Sequence, residues 1–125
     1  MSKSILLDKS KEFAVETVKL CRRVAREKHE FNMTDQLIRS ATSVGANVHE
    51  SKYAQSAADF VNKLKVALKE CYESEYWLEV LVKTDIISDE EYRSGTAMCS
   101  ALRRMLISSV NTTEKHQTDK KSTLR

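Results

Sequence analysis

The stretch FVNKLKVALKECYESEYWLEVL, residues 60–81, decides the fold of this chain. Its apolar and small side chains recur at alternating steps of four and three residues over six intervals, which places them on one face of an α-helix. The positions on that face are Phe60, Leu64, Ala67, Cys71, Ser74, Leu78 and Leu81. The pattern predicts a long helix with a coiled-coil-like seam that packs against other helices along its length.

The composition extends this expectation to the whole chain. The 125 residues include no proline and only two glycines, and 41% of them are hydrophobic. Because proline and glycine punctuate strands and tight turns, their near absence excludes a sandwich, a barrel or a hairpin-rich fold. The net charge of +3 is too small, and the apolar content too high, for a disordered chain. We therefore expect one all-α domain.

Three more helices are predicted around the central one. The first covers about residues 4–28, and the second covers about residues 35–52 after Thr34 as its cap. The fourth begins at the S-x-x-E capping box of Ser88 and Glu91. Short connections between helices of similar length favour an antiparallel up-down-up-down four-helix bundle.

The bundle is predicted to fill residues 1–110, where the fourth helix ends near Val110. Residues 111–125 are polar with a single leucine, and this composition predicts a disordered C-terminal tail. The chain is thus divided into one helical domain and one tail.

The central helix is apolar beyond its seam, which bears on self-association. The additional apolar residues lie on two flanks, one with Val61, Leu68 and Val82 and the other with Val66, Trp77 and Val80. A surface helix of a monomer usually shows one apolar stripe, so the excess favours a second buried face and a homo-oligomer. The alternative is one wide core stripe flanked by amphipathic neighbours.

Basic residues form the candidate binding site. Lys19, Arg22, Arg23 and Arg26 recur at i, i+3, i+4 and i+7 on one face of the first helix. A stripe of this kind can follow the phosphates of a nucleic acid, with Arg103 and Arg104 as secondary candidates. An ordinary solvated face has the same pattern, and both interpretations stay open. Residues 69–91 hold eight acidic and two basic groups, which predicts an acidic end of the bundle.

The sequence offers no arrangement typical of catalysis or of a metal site. The three histidines, His29, His49 and His116, lack a glutamate three residues earlier, so the di-iron pattern of helical bundles is absent. No two His or Cys residues lie within five positions, as a zinc site would require, and no glycine-rich phosphate loop exists. We expect no metal, no cofactor and no enzymatic activity.

Asn47 and Glu50 of the second helix are a further pair of polar residues that could bind a ligand. They lie three positions apart and point to similar sides of the helix. We favour a structural role, in which they hydrogen-bond or bridge neighbouring helices, over ligand binding.

The cysteine pattern and the hydropathy predict a cytoplasmic protein. Cys21, Cys71 and Cys99 give an odd count with no C-x-x-C spacing, which fits reduced thiols better than a disulfide framework. The N-terminus has only three consecutive apolar residues, too few for a signal peptide, and no apolar run is long enough to span a membrane.

Three segments resemble a known family. They are IRSATSVGANVHE at residues 38–50, SAADF at residues 56–60 and ALKECYESEYWL at residues 67–78. Together they are similar to the bacterial four-helix bundle proteins, many of which are encoded within intervening sequences of large-subunit ribosomal RNA genes. The same family includes the accessory variability determinant of diversity-generating retroelements. The resemblance extends over about residues 5–112. It departs from the usual pattern at His49 and at Ser51, where a glycine is common.

The resemblance implies an antiparallel bundle that assembles as a ring-shaped homopentamer. It implies no settled activity for the ribosomal members. For the retroelement accessory protein it implies a basic surface that contacts template RNA and the reverse transcriptase. None of the matched motifs has a catalytic role.

Two functions of different classes follow. The first is a non-enzymatic oligomer that binds RNA or a ribonucleoprotein, a reverse transcriptase complex included, through the six basic residues named above. The alternative is a protein-interaction scaffold that binds no nucleic acid. An enzyme with a site at a subunit boundary would leave no local motif and is a third hypothesis.

Overall fold

The structure, a computed structural model, describes the backbone of residues 2–124 and the side chains of residues 5–120. Residues 2–124 form four α-helices and no strand, which confirms the all-α prediction. The helices are α1 Ser2–Lys28, α2 Asn32–Ser51, α3 Ala57–Lys83 and α4 Asp89–Leu124. Each helix packs against the next, and α1 also packs against α4, over the smallest of the four helix interfaces. None of the four combines the length and apolar content of a membrane span within this described part.

The predicted seam of α3 forms the centre of the core. Leu64, Ala67, Cys71, Ser74, Leu78 and Leu81 are buried, and Phe60 packs against them from the edge. Most of the apolar residues beside the seam, which suggested a second buried face, also pack into the core. Val61 is buried, while Leu68, Trp77 and Val82 pack against the core. The large apolar side chains that α3 leaves exposed are Tyr72 and Tyr76.

Small residues let α2 approach both of its neighbours closely. A Cβ atom at Gly45 would lie 3.5 Å from the backbone oxygen of Ser10 in α1, which is ordinary van der Waals contact and shows that the two helices are closely packed here. On the other side, the buried hydroxyls of Ser40 and Ser74 share a hydrogen bond of 2.8 Å between α2 and α3. Each serine hydroxyl is thereby satisfied inside the core.

The start of α2 differs from the prediction because a different residue caps it. The helix begins at Asn32, and the Glu30 carboxylate accepts a hydrogen bond of 3.0 Å from the backbone N–H of Met33. The predicted cap, Thr34, is instead buried in the first turn, where its hydroxyl donates to the backbone oxygen of Glu30. The prediction of a Thr34 cap was therefore wrong: the upstream carboxylate satisfies a free N–H and starts the helix earlier.

Two non-glycine residues reverse the chain where helices end. His29 follows α1 with φ 55°, and Asp85 follows α3 with φ 62°. After α3, Ile86 donates its backbone N–H to the Leu81 oxygen at 2.9 Å, and Asp85 donates to the Val82 oxygen. This is a Schellman motif with aspartate in the position that glycine usually occupies. Polar residues with left-handed conformation thus replace the missing glycines.

The fourth helix extends beyond its predicted end near Val110. The backbone of α4 continues through residues 111–124. Two features account for the start of this extension: Thr113 and Gln117 are half-buried, and Lys65 of α3 donates to Glu114 at 3.1 Å. No glycine or proline follows Gly95 to interrupt the helix. At 36 residues, α4 is about 54 Å long, against about 40 Å for α3.

Candidate nucleic-acid interface

The basic stripe of α1 is exposed over three of its four residues. Lys19, Arg22 and Arg26 extend into solvent on the outer face of the helix. Lys19 lies 3.6 Å from the carboxylate of Glu16 one turn away, in a well-solvated ion pair. Arg22 and Arg26 form no ion pair with any residue in the described part of the chain. These two guanidinium groups, one turn apart, are thus free to bind an anion.

Arg23, the fourth residue of the stripe, turns toward the bundle. Its guanidinium donates to Glu27 of the same helix at 3.0 Å and to Glu91 of α4. The Glu91 carboxylate also accepts from the backbone N–H of Ser88, as the predicted capping box requires. Arg23 therefore joins α1 to the first turn of α4, and its charge is largely compensated.

The two secondary candidates occupy different environments. The Arg103 guanidinium forms a two-point ion pair with Glu75 of α3, with Nε–Oε2 at 2.8 Å, and lies 5.2 Å from the ring centre of Tyr72. Burial is the largest single influence and acts against its charge, but the hydrogen bond and charge of Glu75 together with Tyr72 outweigh it, so the pKa of Arg103 is raised. Arg104 is exposed and donates to the hydroxyl of Ser100 at 2.8 Å. Arg103 is thus a clamp between α3 and α4, whereas Arg104 faces solvent.

The acidic stretch and the basic stripe meet at the same end of the bundle. A surface cavity of about 530 Å³ is lined by Arg23, Glu27 and Lys28 of α1, by Asp85 of the α3–α4 connection and by Asp89 at the start of α4. This end is of mixed charge, so the acidic end predicted from residues 69–91 is only partly realised. The physical reason is that the last turn of α1 brings its cations against the first turn of α4.

The predictions missed one charged network, which joins the motifs of α2 and α3. Arg39 donates to Glu70 at 3.1 Å and to Glu73, while the indole N–H of Trp77 donates to Glu73 at 3.2 Å. Hydrogen bonding to Arg39 lowers the pKa of Glu73, and the same carboxylates raise the pKa of Arg39. The residues lie more than 30 positions apart on separate helices, so no spacing rule reveals the pairing.

Glu50 bridges two helices as predicted, whereas Asn47 bonds within its own helix. The Asn47 amide donates to the backbone oxygen of Ser43 at 2.9 Å, within α2. Glu50 accepts from Lys63 of α3 at 2.8 Å, which raises the pKa of that lysine. His49, next to them, is exposed, with its ring 5.7 Å from that of Tyr53.

The three cysteine thiols lie inside the core. Cys21, Cys71 and Cys99 are buried and free of disulfides, and burial raises the pKa of Cys21 and Cys71 to about 12 and raises that of Cys99 as well. Such thiols are poor nucleophiles at neutral pH. Within the described residues, His, Cys, Asp and Glu do not gather into a group of three or more that could hold a metal ion.

Comparison with known proteins places the chain in a family. The sequence profile of the 23S rRNA-intervening sequence protein family matches residues 2–108. The chain is also similar to a protein of unknown function from the S23 ribosomal protein family of Bacteroides thetaiotaomicron, whose crystal structure superposes with a TM-score of 0.87. The two chains are 46% identical, over 89% of this chain and 99% of that one.

No curated protein matches the sequence. The profile match extends over most of the helical bundle, and the crystal structure of the relative has the same all-helical architecture. The chain therefore belongs to the 23S rRNA-intervening sequence protein family.

Proposed function

We propose that this protein is a cytoplasmic, non-enzymatic oligomer that binds the phosphate backbone of RNA, alone or within a ribonucleoprotein. The single observation that carries the proposal is the pair of exposed, unpaired guanidinium groups of Arg22 and Arg26 on α1. Lys19 adds a third solvated cation, and Arg104 adds a fourth on α4. Arg23 and Arg103 would act mainly by holding helices together, because both are already bound to carboxylates.

The assembly that we propose is an antiparallel bundle repeated in a ring, which we take to be a homopentamer. The ion pairs between α2 and α3 support the antiparallel arrangement. Arg39 pairs with Glu70, whereas Glu50, eleven residues later, pairs with Lys63, seven residues earlier. The exposed aromatic rings of Tyr72 and Tyr76 on α3 offer a surface for a neighbouring subunit.

Oligomerisation would strengthen RNA binding, because it repeats the modest charge of one subunit. One subunit has a formal net charge of +3, which by itself gives weak phosphate binding. A ring presents several copies of the Arg22 and Arg26 pair to the same RNA, and each further contact then forms at high effective concentration. Arginine suits this role because its planar fork donates two hydrogen bonds to one phosphate.

The proposal is tested with a structured fragment of 23S rRNA as the probe. RNA affinity is measured by fluorescence anisotropy between 50 and 200 mM salt, about the range over which phosphate binding weakens most clearly. Light scattering gives the mass of the assembly, which we expect near five times 14.3 kDa. We expect Arg22→Gln with Arg26→Gln to lower affinity at least about tenfold and to flatten the salt slope by about 0.9 for each phosphate that is no longer neutralised.

The matched control removes the same charge elsewhere. Lys11→Gln with Lys69→Gln takes two exposed lysines from α1 and α3 that form no ion pair in the described residues. If this control weakens RNA binding as much as the arginine variant, binding follows net charge and the assigned residues are wrong. If the unsubstituted protein binds no RNA at either salt concentration, the proposed function itself is wrong.

A groove between α1 and α4 favours the alternative function, a protein-interaction scaffold. The groove has a volume of about 580 Å³, an apolar floor that includes Leu20 and Met98, and carboxylates of Glu16, Glu90 and Glu91 along its rim. An apolar side chain flanked by cations would fit such a groove. Binding there would change little with salt where the interface is apolar, in contrast to phosphate binding.

A further inference from the structure

The outer face of α4 has an unusual charge pattern. From Arg93 to Thr118 the helix contains a single carboxylate, Glu114, and that group is bound to Lys65 of α3. One line of side chains along this stretch recurs at steps of four and three residues and faces solvent or lies half-buried. We call it the α4 strip; it consists of Arg93, Ala97, Ser100, Arg104, Ser108, Asn111, Lys115 and Thr118.

The cations of the α4 strip are evenly spaced, and Asp89 and Asp119 lie four residues outside its two end cations. Arg93, Arg104 and Lys115 are each eleven residues apart, which is three helical turns and about 16 Å. All three are exposed, and none forms an ion pair within the described part of the chain. The one polar contact among them is the hydrogen bond from Arg104 to the Ser100 hydroxyl. The charges of the strip are therefore available to a ligand.

The side chains between the cations are small and polar. Ser108, Asn111 and Thr118 supply hydroxyl and amide groups, and Ala97 is the one apolar member of the strip. Serine, threonine and asparagine are frequent partners of phosphate and sugar oxygens in nucleic-acid complexes. Arg104 and Ser108 also border a groove of about 490 Å³ that Ile5, Phe60 and Met105 line, so apolar surface lies beside the strip and not on it.

The strip reaches beyond the part of the chain that the family match describes. The match ends at residue 108, whereas Asn111, Lys115 and Thr118 belong to the helical extension of α4. With the extension, the strip is about 38 Å long. Three of its eight positions therefore belong to the extension of α4 beyond the matched region, and the other five lie within that region.

We propose that the α4 strip is a second RNA-binding surface that follows the phosphate backbone without reading bases. The inference rests on the proposed function, because it assumes that RNA is the ligand. It adds Arg93, Lys115 and the polar residues between them, and it gives the C-terminal extension a role. Recognition by charge and hydroxyl donors alone makes binding independent of sequence and dependent on salt.

The test compares two triple variants of the full chain. Arg93→Gln, Arg104→Gln and Lys115→Gln remove the cations of the strip, and the control Lys11→Gln, Lys69→Gln and Lys120→Gln removes three exposed lysines outside it. Circular dichroism verifies that both remain helical. With the 23S rRNA fragment, we expect the strip variant to lose at least about tenfold more affinity than the control and to flatten the salt slope by about 2.7.

A second variant adds a charge without removing any. Ser108→Asp places a carboxylate between Arg104 and Lys115, and we expect it to weaken RNA binding several-fold, while Asn62→Asp on the exposed face of α3 leaves it unchanged. The proposal of a second RNA-binding surface is wrong if both strip variants bind RNA like their controls while the Arg22 and Arg26 variant loses binding. Failure of the unsubstituted protein to bind RNA would instead overturn the proposed function, so the two failures are distinguishable.

Discussion

The interface between α2 and α3 is closed and rich in specific bonds, whereas the interface between α1 and α4 is open. A buried hydroxyl pair, Ser40 and Ser74, and the network of Arg39 with two glutamates join α2 to α3. Between α1 and α4 the side-chain bond seen among residues 5–120 is that of Arg23 with Glu91. Two grooves flank α4, one of about 580 Å³ beside Leu20 and one of about 490 Å³ beside Ile5.

The difference between the two interfaces shows how one small bundle combines a rigid half with an accessible surface. Stability is concentrated where small residues let helices approach and where hydroxyls and charges are paired. Among the described residues, the arginines without an ion pair lie on the outer faces of the two helices that pack least closely, α1 and α4. Binding of a large polyanion there requires no rearrangement of the α2–α3 interface.

The largest expected effect on the free energy of unfolding comes from truncation of one leucine at each interface. Leu37→Ala removes a fully buried side chain of α2, and we expect the free energy of unfolding to fall by about 3 kcal/mol because a cavity remains. Leu20→Ala on α1, a half-buried residue that lines the open groove, is expected to cost only about 1 kcal/mol because water can fill the space. Urea unfolding measures both values, and equal losses would contradict the comparison.

An intermediate effect on stability is expected from ionisation of the buried thiols at high pH. The folded pKa values of Cys21 and Cys71, about 12, lie above the ordinary value of 9.0. A raised folded pKa means that the stability contributed by the neutral thiol is complete below pH 9 and is lost as pH rises toward 12. The expected loss is at most about 1.4 kcal/mol per thiol for each pH unit above 9.

Replacement of Cys21 and Cys71 together by alanine isolates the part of the pH dependence that comes from these two thiols, since the variant lacks both.

Labelling with a thiol reagent at pH 8, followed by peptide mass analysis, tests the same comparison between the two interfaces. We expect no rapid labelling of the folded protein, and slow labelling of Cys21 before Cys71 because α1 has the looser interface. Labelling in the reverse order would show that α3, not α1, opens first.

The smallest effect is expected from the charged network. Arg39 lowers the pKa of Glu73, so this pair stabilises the fold above the unfolded pKa near 4.5 and ceases to do so as pH falls through the lower folded value. Because half of the Arg39 side chain is exposed, we expect Arg39→Gln to cost only about 1 kcal/mol at pH 7. The difference from the unsubstituted protein should shrink as pH falls below 4.5 and through the lower folded pKa of Glu73.

Arg23→Gln is the matched control, since it breaks an ion pair with one interhelical carboxylate instead of two. We expect about half the loss of Arg39→Gln, measured by thermal or urea unfolding at pH 7 and 3. A larger loss at Arg23 would mean that the α1–α4 interface depends on its single ion pair more than the α2–α3 interface depends on its network.

Much of the fold was predictable because local patterns decide it. The period of 3.5 residues from Phe60 to Leu81 fixed the buried face of α3, and the Ser88 capping box fixed the start of α4. The start of α2 was less predictable, because the Glu30 carboxylate and Thr34 both offer caps and only the path of the turn selects one. The end of α4 was mispredicted because polar composition measures a lack of core and not a lack of helix.

The candidate site was predictable only as a set of residues. The spacing of Lys19, Arg22, Arg23 and Arg26 correctly placed them near one another on α1, and three of the four are exposed. The sequence alone determined the four helices, the buried seam and the stock of cations, since these follow from spacing and composition along one chain. Which cations stay free was decided by the tertiary structure, because Arg23, Arg39 and Arg103 find carboxylates on other helices and Arg22, Arg26 and Arg104 do not.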